Sequence, residues 1–166
     1  MTISMARIGA AIRAVLFTAI ISVASFTSHE AGAEAKTRSF HADLSPDEEP
    51  KVTPSSGYGT LDITVDLSNL SMVYRVVING MTSEVTGIHL HGPCGRGDIA
   101  PAILDLAPLG IRNPLQRSLV LTEGQLQYML NGELYINVQT RKYKDGEIRG
   151  QLQRRPDQPV GTLGSK

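Results

Sequence analysis

The chain has 166 residues, 41% hydrophobic and 19% charged, with 16 basic and 16 acidic residues and a single Cys. That length is one domain, and the hydrophobic fraction excludes a wholly disordered chain. Zero net charge excludes the basic excess of nucleic-acid binders, and one Cys excludes an internal disulfide framework or a Cys-rich zinc fold.

Arg7 and Arg13 form a positive n-region ahead of the apolar run Ala14 to Phe26, and small residues follow at Ala31-Gly32-Ala33. The run is too short and too rich in Ser and Thr for a bilayer span of about 20 apolar residues. Residues 1–33 therefore read as a secretory signal peptide cleaved after Ala33, or after Ala35, the alternative being an uncleaved signal anchor that Arg13 argues against. The mature chain is then secreted or periplasmic and holds no membrane segment. Cleavage removes His29, Phe17 and Phe26, so His41, His89 and His91 are the remaining histidines and Phe40 the remaining Phe. The core must come from Leu, Ile, Val and Tyr.

Thr37 to Leu44 is the first expected strand. A polar loop rich in breakers follows, Ser45-Pro46-Asp47-Glu48-Glu49-Pro50 and Thr53-Pro54-Ser55-Ser56-Gly57. Leu61-Asp62-Ile63-Thr64-Val65-Asp66-Leu67 has strict alternation and is a half-buried strand. Met72 to Ile78, Val85 to His91, Ile99 to Leu106 and Ser118 to Leu121 complete a run of strands, with Pro101 marking an edge. Thr122-Glu123-Gly124-Gln125 has capping-box spacing, and Leu126, Met129 and Leu130 recur at helical spacing before Asn131-Gly132. One short helix is expected near 122–131. Glu133 to Thr140 and Glu147 to Gln153 form a last hairpin around Lys144-Asp145-Gly146, and residues 154–166 read as a disordered tail. Short strands with one helix imply an all-β protein, an antiparallel Greek-key sandwich of the immunoglobulin-like or superoxide-dismutase-like kind.

Chemistry concentrates in two strands. In Gly87-Ile88-His89-Leu90-His91-Gly92-Pro93, His89 and His91 share one face while Ile88 and Leu90 point into the core. Two imidazoles on one face suit a Cu or Zn ion. The structural alternative is a pair of polar residues on a solvated strand face. In the final hairpin Tyr135, Asn137 and Gln139 alternate with apolar residues, and Glu147, Arg149 and Gln151 are expected to share a face. That patch reads either as a ligand-binding surface or as a hydrogen-bond network tying the last strand down through Arg149 and Glu147. Gly150 marks a bulge or a close backbone approach. Cys94, in Pro93-Cys94-Gly95-Arg96-Gly97, is the odd thiol of a secreted chain. It is expected to be exposed, with Arg96 favouring the thiolate, and to be available for a Cys94-linked homodimer. The alternatives are a buried, inert thiol and a third metal ligand folded back beside His89 and His91 by the turn at Gly92-Pro93.

The same stretches resemble the CHRD domain, a family named from chordin and also found in secreted microbial proteins. The resemblance rests on Gly87 to Pro93, on Leu134-Tyr135-Ile136-Asn137-Val138-Gln139-Thr140, and on Gly146-Glu147-Ile148-Arg149-Gly150-Gln151-Leu152, and it spans roughly Thr37 to Gln153. It implies an extracytoplasmic β-sandwich acting as a noncatalytic binding or structural module, with an undefined ligand or protein partner. Family members commonly carry His where Gln139 stands and a small apolar residue where Cys94 stands. A three-histidine metal site in relatives would be impaired here, because Gln is a poor ligand for Zn or Cu. The His-x-His strand also resembles that of copper-zinc superoxide dismutase, but three histidines and one Cys are too few for its metal sites and disulfide. No nucleophile elbow, phosphate loop or His-Glu-x-x-His motif occurs, so no enzyme activity is expected. Arg96-Gly97-Asp98 is the integrin-recognition tripeptide, a triplet that chance supplies often.

Overall fold

Apolar residues at every second position set the layout. The computed structural model describes residues 37–156; the expected signal peptide 1–33 and the tail beyond Pro156 lie outside the described residues. The strands are β1 (Thr37–Leu44), β2 (Tyr58–Asp66), β3 (Ser71–Asn79), β4 (Val85–His91), β5 (Ala102–Asp105), β6 (Leu115–Val120), β7 (Tyr135–Thr140), β8 (Ile148–Gln151) and β9 (Gln153–Arg154), with α1 (Glu123–Leu130) between β6 and β7. They form two antiparallel sheets, a five-stranded one in the order β6-β3-β2-β1-β9 and a four-stranded one in the order β5-β4-β7-β8. Non-consecutive neighbours (β3 with β6, β4 with β7, β1 with β9) give the expected sandwich its interleaved crossings.

The inner faces meet as read from the alternation. Leu61, Ile63 and Val65 of β2, Ile88 and Leu90 of β4, and Ile136, Val138 and Ile148 are all buried. β5 lies at a sheet edge, just past Pro101. The capping box closes α1 in both directions: Gln125 N–H donates to Thr122 Oγ1 (3.2 Å) and Thr122 N–H to Gln125 Oε1 (2.9 Å). Leu126 and Met129 face the core, and Gly132 ends the helix with φ +73°.

Strand ends shift, with β5 starting at Ala102 rather than Ile99 and β6 at Leu115 rather than Ser118, and two larger features depart from the expected layout. The return strand read from Glu147 to Gln153 is two strands in different sheets. Leu152 N–H still bonds Leu134 O (2.9 Å), but Gln153 and Arg154 pair with His41 and Phe40 of β1, and Arg155 N–H reaches Ser39 O (2.9 Å). Arg154 and Arg155 thus belong to the folded body rather than to a tail starting at 154. The change of sheet is possible because β1 runs close by. Ser45 and Arg149 exchange backbone hydrogen bonds of 2.9 and 3.1 Å, and Gly150 has no side chain where Asp43 O approaches. Secondly, the outer face of the four-stranded sheet is covered over β7 and β8, where Tyr135, Asn137, Arg149 and Gln151 are buried, while His89, His91 and Gln139 are half-buried. The β1–β2 loop packs over it, burying Glu49 and Thr53, while Thr53 Oγ1 donates to Glu147 O at 2.9 Å.

Candidate functional site

Pairing of β4, β7 and β8 brings the polar residues of three strands onto this covered face. His91 stands opposite Tyr135 and Tyr135 opposite Gln151; His89 stands opposite Asn137 and Asn137 opposite Arg149; Gly87 stands opposite Gln139. His91 stacks on Tyr135 with ring centroids 4.9 Å apart, and the Arg149 guanidinium lies 3.5 Å from the same ring's centroid. The rings of His89 and His91 meet edge-on at 6.0 Å. Gln139 joins them through Gly87. Its Oε1 and the Cε1 of His89 lie 2.7 and 2.6 Å from where a Cβ on Gly87 would sit, so only a glycine lets both side chains lean inward.

Burial and hydrogen bonds fix the chemical state of these groups. His91 Nδ1 lies 2.9 Å from Ala100 O. A carbonyl only accepts, so Nδ1 carries the proton and Nε2 holds the free lone pair of the neutral ring. Burial lowers the His91 pKa, opposed by that hydrogen bond. Tyr135 Oη donates to Ala100 O (3.2 Å) and accepts from Ala100 N–H (3.3 Å), and burial raises its phenol pKa. Asn137 Nδ2 donates to Glu49 Oε1 and to Asp145 O, both at 3.1 Å. Burial pushes the Glu49 carboxyl up to about 7, against the pull of Arg149. Gly146 makes the Asn137–Glu49 contact possible: its φ is +142°, and a Cβ there would collide with Asn137 Nδ2 and Glu49 Oε1.

Arg149 is 1% exposed, yet neither Nη1 nor Nη2 has a hydrogen-bond partner. Among the described residues no carboxylate forms an ion pair with it. The charge of Arg149 is felt by the nearby Cys94 thiol, whose Sγ–H donates to Asp98 O at 3.6 Å. His91 Nε2, Asn137 Oδ1 and Tyr143 Oη are also buried without partners. These four residues line one cleft of about 650 Å3, bounded by the β1–β2 loop at Glu49 to Pro54 and by the turn at Lys142 to Gly146. A larger depression of about 780 Å3 lies between Ile78–Met81 and Ile111–Asn113, and none of the unpaired buried polar atoms lines it. The smaller cleft is the candidate site. It has the size of a small-molecule pocket, and the polar groups converge on it.

The remaining sequence candidates distribute as follows. Glu147 parts from Arg149. It precedes β8, and its carboxylate accepts from Ser55 Oγ (2.7 Å), Thr82 N–H (2.7 Å), Thr82 Oγ1 (3.0 Å) and Thr140 Oγ1 (2.7 Å). Strand alternation does not govern a residue still in the turn, so the shared face expected for Glu147, Arg149 and Gln151 is not observed. Gln151 Nε2 donates to Gly132 O (2.8 Å) and Cys94 O (3.2 Å). Cys94 is partly buried, burial raises its thiol pKa, and Arg96 is ion-paired with Glu48 rather than directed at the sulfur. His89 Nδ1 is buried without a partner, and its Nε2 lies 4.0 Å from Asp105 Oδ1. Among the described residues no three His, Cys, Asp or Glu side chains converge as a cation site. Glu49 is the residue that sequence reading missed. Nothing in an acidic, proline-flanked loop distinguishes a glutamate that folds back over a sheet from a solvated one.

No curated protein and no solved structure matches the chain significantly. The sequence profile of the CHRD domain matches residues 40–152. That span runs from the middle of β1 to Leu152 and contains every strand of the covered face, so the chain belongs to the CHRD domain family.

Proposed function

We propose that this CHRD domain is a noncatalytic, extracytoplasmic binding module whose ligand site is the cleft over the four-stranded sheet. One observation carries the reading: a fully buried arginine floors a cleft of ligand size with both terminal nitrogens unpaired. A guanidinium serving only structure would be matched to a carboxylate, since each buried polar group left unsatisfied costs about 1–3 kcal/mol and a charged one more. Such a cost is characteristic of sites completed by a ligand. The noncatalytic part is supported by His91, which is stacked, tied to Ala100 and neutral. Among the described residues no hydroxyl or thiol is hydrogen-bonded to its ring. The extracytoplasmic part is supported by the basic, apolar and small-residue order of residues 7–33. The test is an amide-shift screen of the purified processed protein against small polar fragments, repeated with Arg149→Met. Hits that move His91, Tyr135, Asn137 and Arg149 and vanish in the variant are expected. A screen whose hits leave those resonances unmoved overturns the reading.

A second reading, a Cu or Zn ion on His89 and His91, is favoured by the buried, unpaired His91 Nε2 and His89 Nδ1. Against it, His89 turns toward Gly87 and Gln139 while His91 turns toward Ala100 and Tyr135. Elemental analysis of the purified protein separates the two. Stoichiometric metal that disappears in His89→Ala supports the ion, and a protein that stays metal-free after equilibration with Cu or Zn removes it.

A further inference from the structure

We propose that the ligand of this cleft presents a carboxylate, and that Glu49 occupies the carboxylate's place in the unliganded protein. The proposal rests on the binding reading above and names the chemistry of its ligand. Arg149 offers a planar fork whose two Nη atoms have no partner, and its stacking on Tyr135 orients that fork. Such a fork matches the two oxygens of a carboxylate. Asn137 Nδ2, on the neighbouring strand, already donates to a carboxylate oxygen, that of Glu49.

Glu49 is close enough to feel the charge of Arg149, yet it makes no ion pair with it. It is 8% exposed and stands in the cleft wall on a loop, not on a strand. The carboxyl is also raised to about 7, so it is a weak counter-ion at neutral pH. Both Nη atoms are closed off from solvent as well as unpaired. An incoming anion therefore reaches them only when a covering side chain moves, and we assign that movement to Glu49, which stands in the wall of the same cleft bonded to Asn137. Its carboxylate would then inherit the Asn137 hydrogen bond and add the two from Arg149. The charges around the cleft agree with an anionic guest, since Lys51, Lys142 and Lys144 line its walls against Asp145 and Glu49.

The test is a calorimetric titration of the processed protein with benzoate, its neutral isostere benzamide, and inorganic phosphate, on wild type and Glu49→Gln. The substitution keeps the size of the side chain and the acceptor that Asn137 uses, and removes the competing charge. We expect benzoate to bind at least tenfold more tightly than benzamide, and Glu49→Gln to tighten benzoate about tenfold further. Equal binding of benzoate and benzamide overturns the carboxylate and leaves the binding module standing. Phosphate binding without benzoate binding does the same. An unchanged benzoate affinity in Glu49→Gln overturns the role given to Glu49. No binding of any probe at tens of millimolar overturns both the carboxylate and the cleft as a binding site.

Discussion

Replacing Glu147 measures how far one buried carboxylate holds the loops around the sandwich together. Glu147 is entirely buried and accepts four hydrogen bonds, from Ser55 and Thr140 and two from Thr82. Burial lifts its pKa, but the hydrogen bonds from Ser55, Thr140 and Thr82 outweigh that lift and hold the carboxyl below its usual range. Hydrogen bonds to a charged group contribute about 1.5–3 kcal/mol each and neutral ones about 0.5–1.5. Glu147→Gln keeps two acceptor contacts on its oxygen and turns an amide toward the hydroxyls of Thr82 and Thr140, which can rotate to accept. The expected cost is about 2 kcal/mol. Glu147→Ala also strands the Thr82 N–H and leaves a hole, for about 4 kcal/mol. In a domain of this size each kcal/mol lowers Tm by roughly 3–5 °C. Urea or thermal unfolding of both variants reads the values directly. The pH sign is fixed by the depressed pKa: the stabilisation is fully present above the unfolded value and is lost as pH falls through the folded one. The gap between wild type and Glu147→Gln should therefore be constant above about pH 5 and close in more acidic solution. A Glu147→Ala protein within roughly 0.5 kcal/mol of wild type, the scatter of neutral surface substitutions, would refute the reasoning.

Glu49 should show the opposite pH sign. Its carboxyl is raised to about 7 in the fold, so the folded state binds the extra proton and stability falls as pH rises from about 4.5 to 7, by up to about 3 kcal/mol; Glu49→Gln should flatten that decline in pH-resolved denaturation. Arg149→Met should leave Tm unchanged or raise it by the equivalent of about 1–3 kcal/mol, because removing a buried charge without a counter-ion outweighs its cation–π contact with Tyr135; a loss above about 2 kcal/mol would make Arg149 a structural residue instead. Gly146→Ala should push Asn137 and Glu49 apart, seen as amide shifts at both residues and a lowered Tm. Cys94, with its raised thiol pKa, should react with iodoacetamide more slowly at about pH 7.5 than an unfolded cysteine does, and labelling at the unfolded rate would contradict its placement.

The parts of the fold that were legible in the sequence are those set by local periodicity. The alternation Leu61, Ile63, Val65 and the pair Ile88, Leu90 each place a core face, and with it place His89 and His91 together on the other side. Thr122 and Gln125 announce the helix because both halves of the capping box lie within one turn. What alternation does not contain is the environment of the polar face. His91, Tyr135, Asn137 and Arg149 are polar and alternate, which reads as a solvated face, yet a loop from the opposite sheet covers them. Where that loop lies depends on contacts nearly a hundred residues apart, such as Thr53 with Glu147. The change of sheet at Leu152 was hidden for the same reason, since only the approach of β1 distinguishes one long strand from two.

The pairing of β9 with β1 also decides how the domain responds to tension. These strands are antiparallel, with Phe40 facing Arg154 and His41 facing Gln153, and Arg155 bonded to Ser39. The folded body's first and last strands therefore leave it side by side. A force drawing the two ends apart loads this short ladder crosswise and breaks its hydrogen bonds one after another, rather than shearing them together. The two residues of β9 should peel first at low force, while the eight-rung ladder between β1 and β2 opens next from its Thr37–Asp66 end. Held by flanking segments on both sides, the domain would yield as an extensible element that opens from its termini inward.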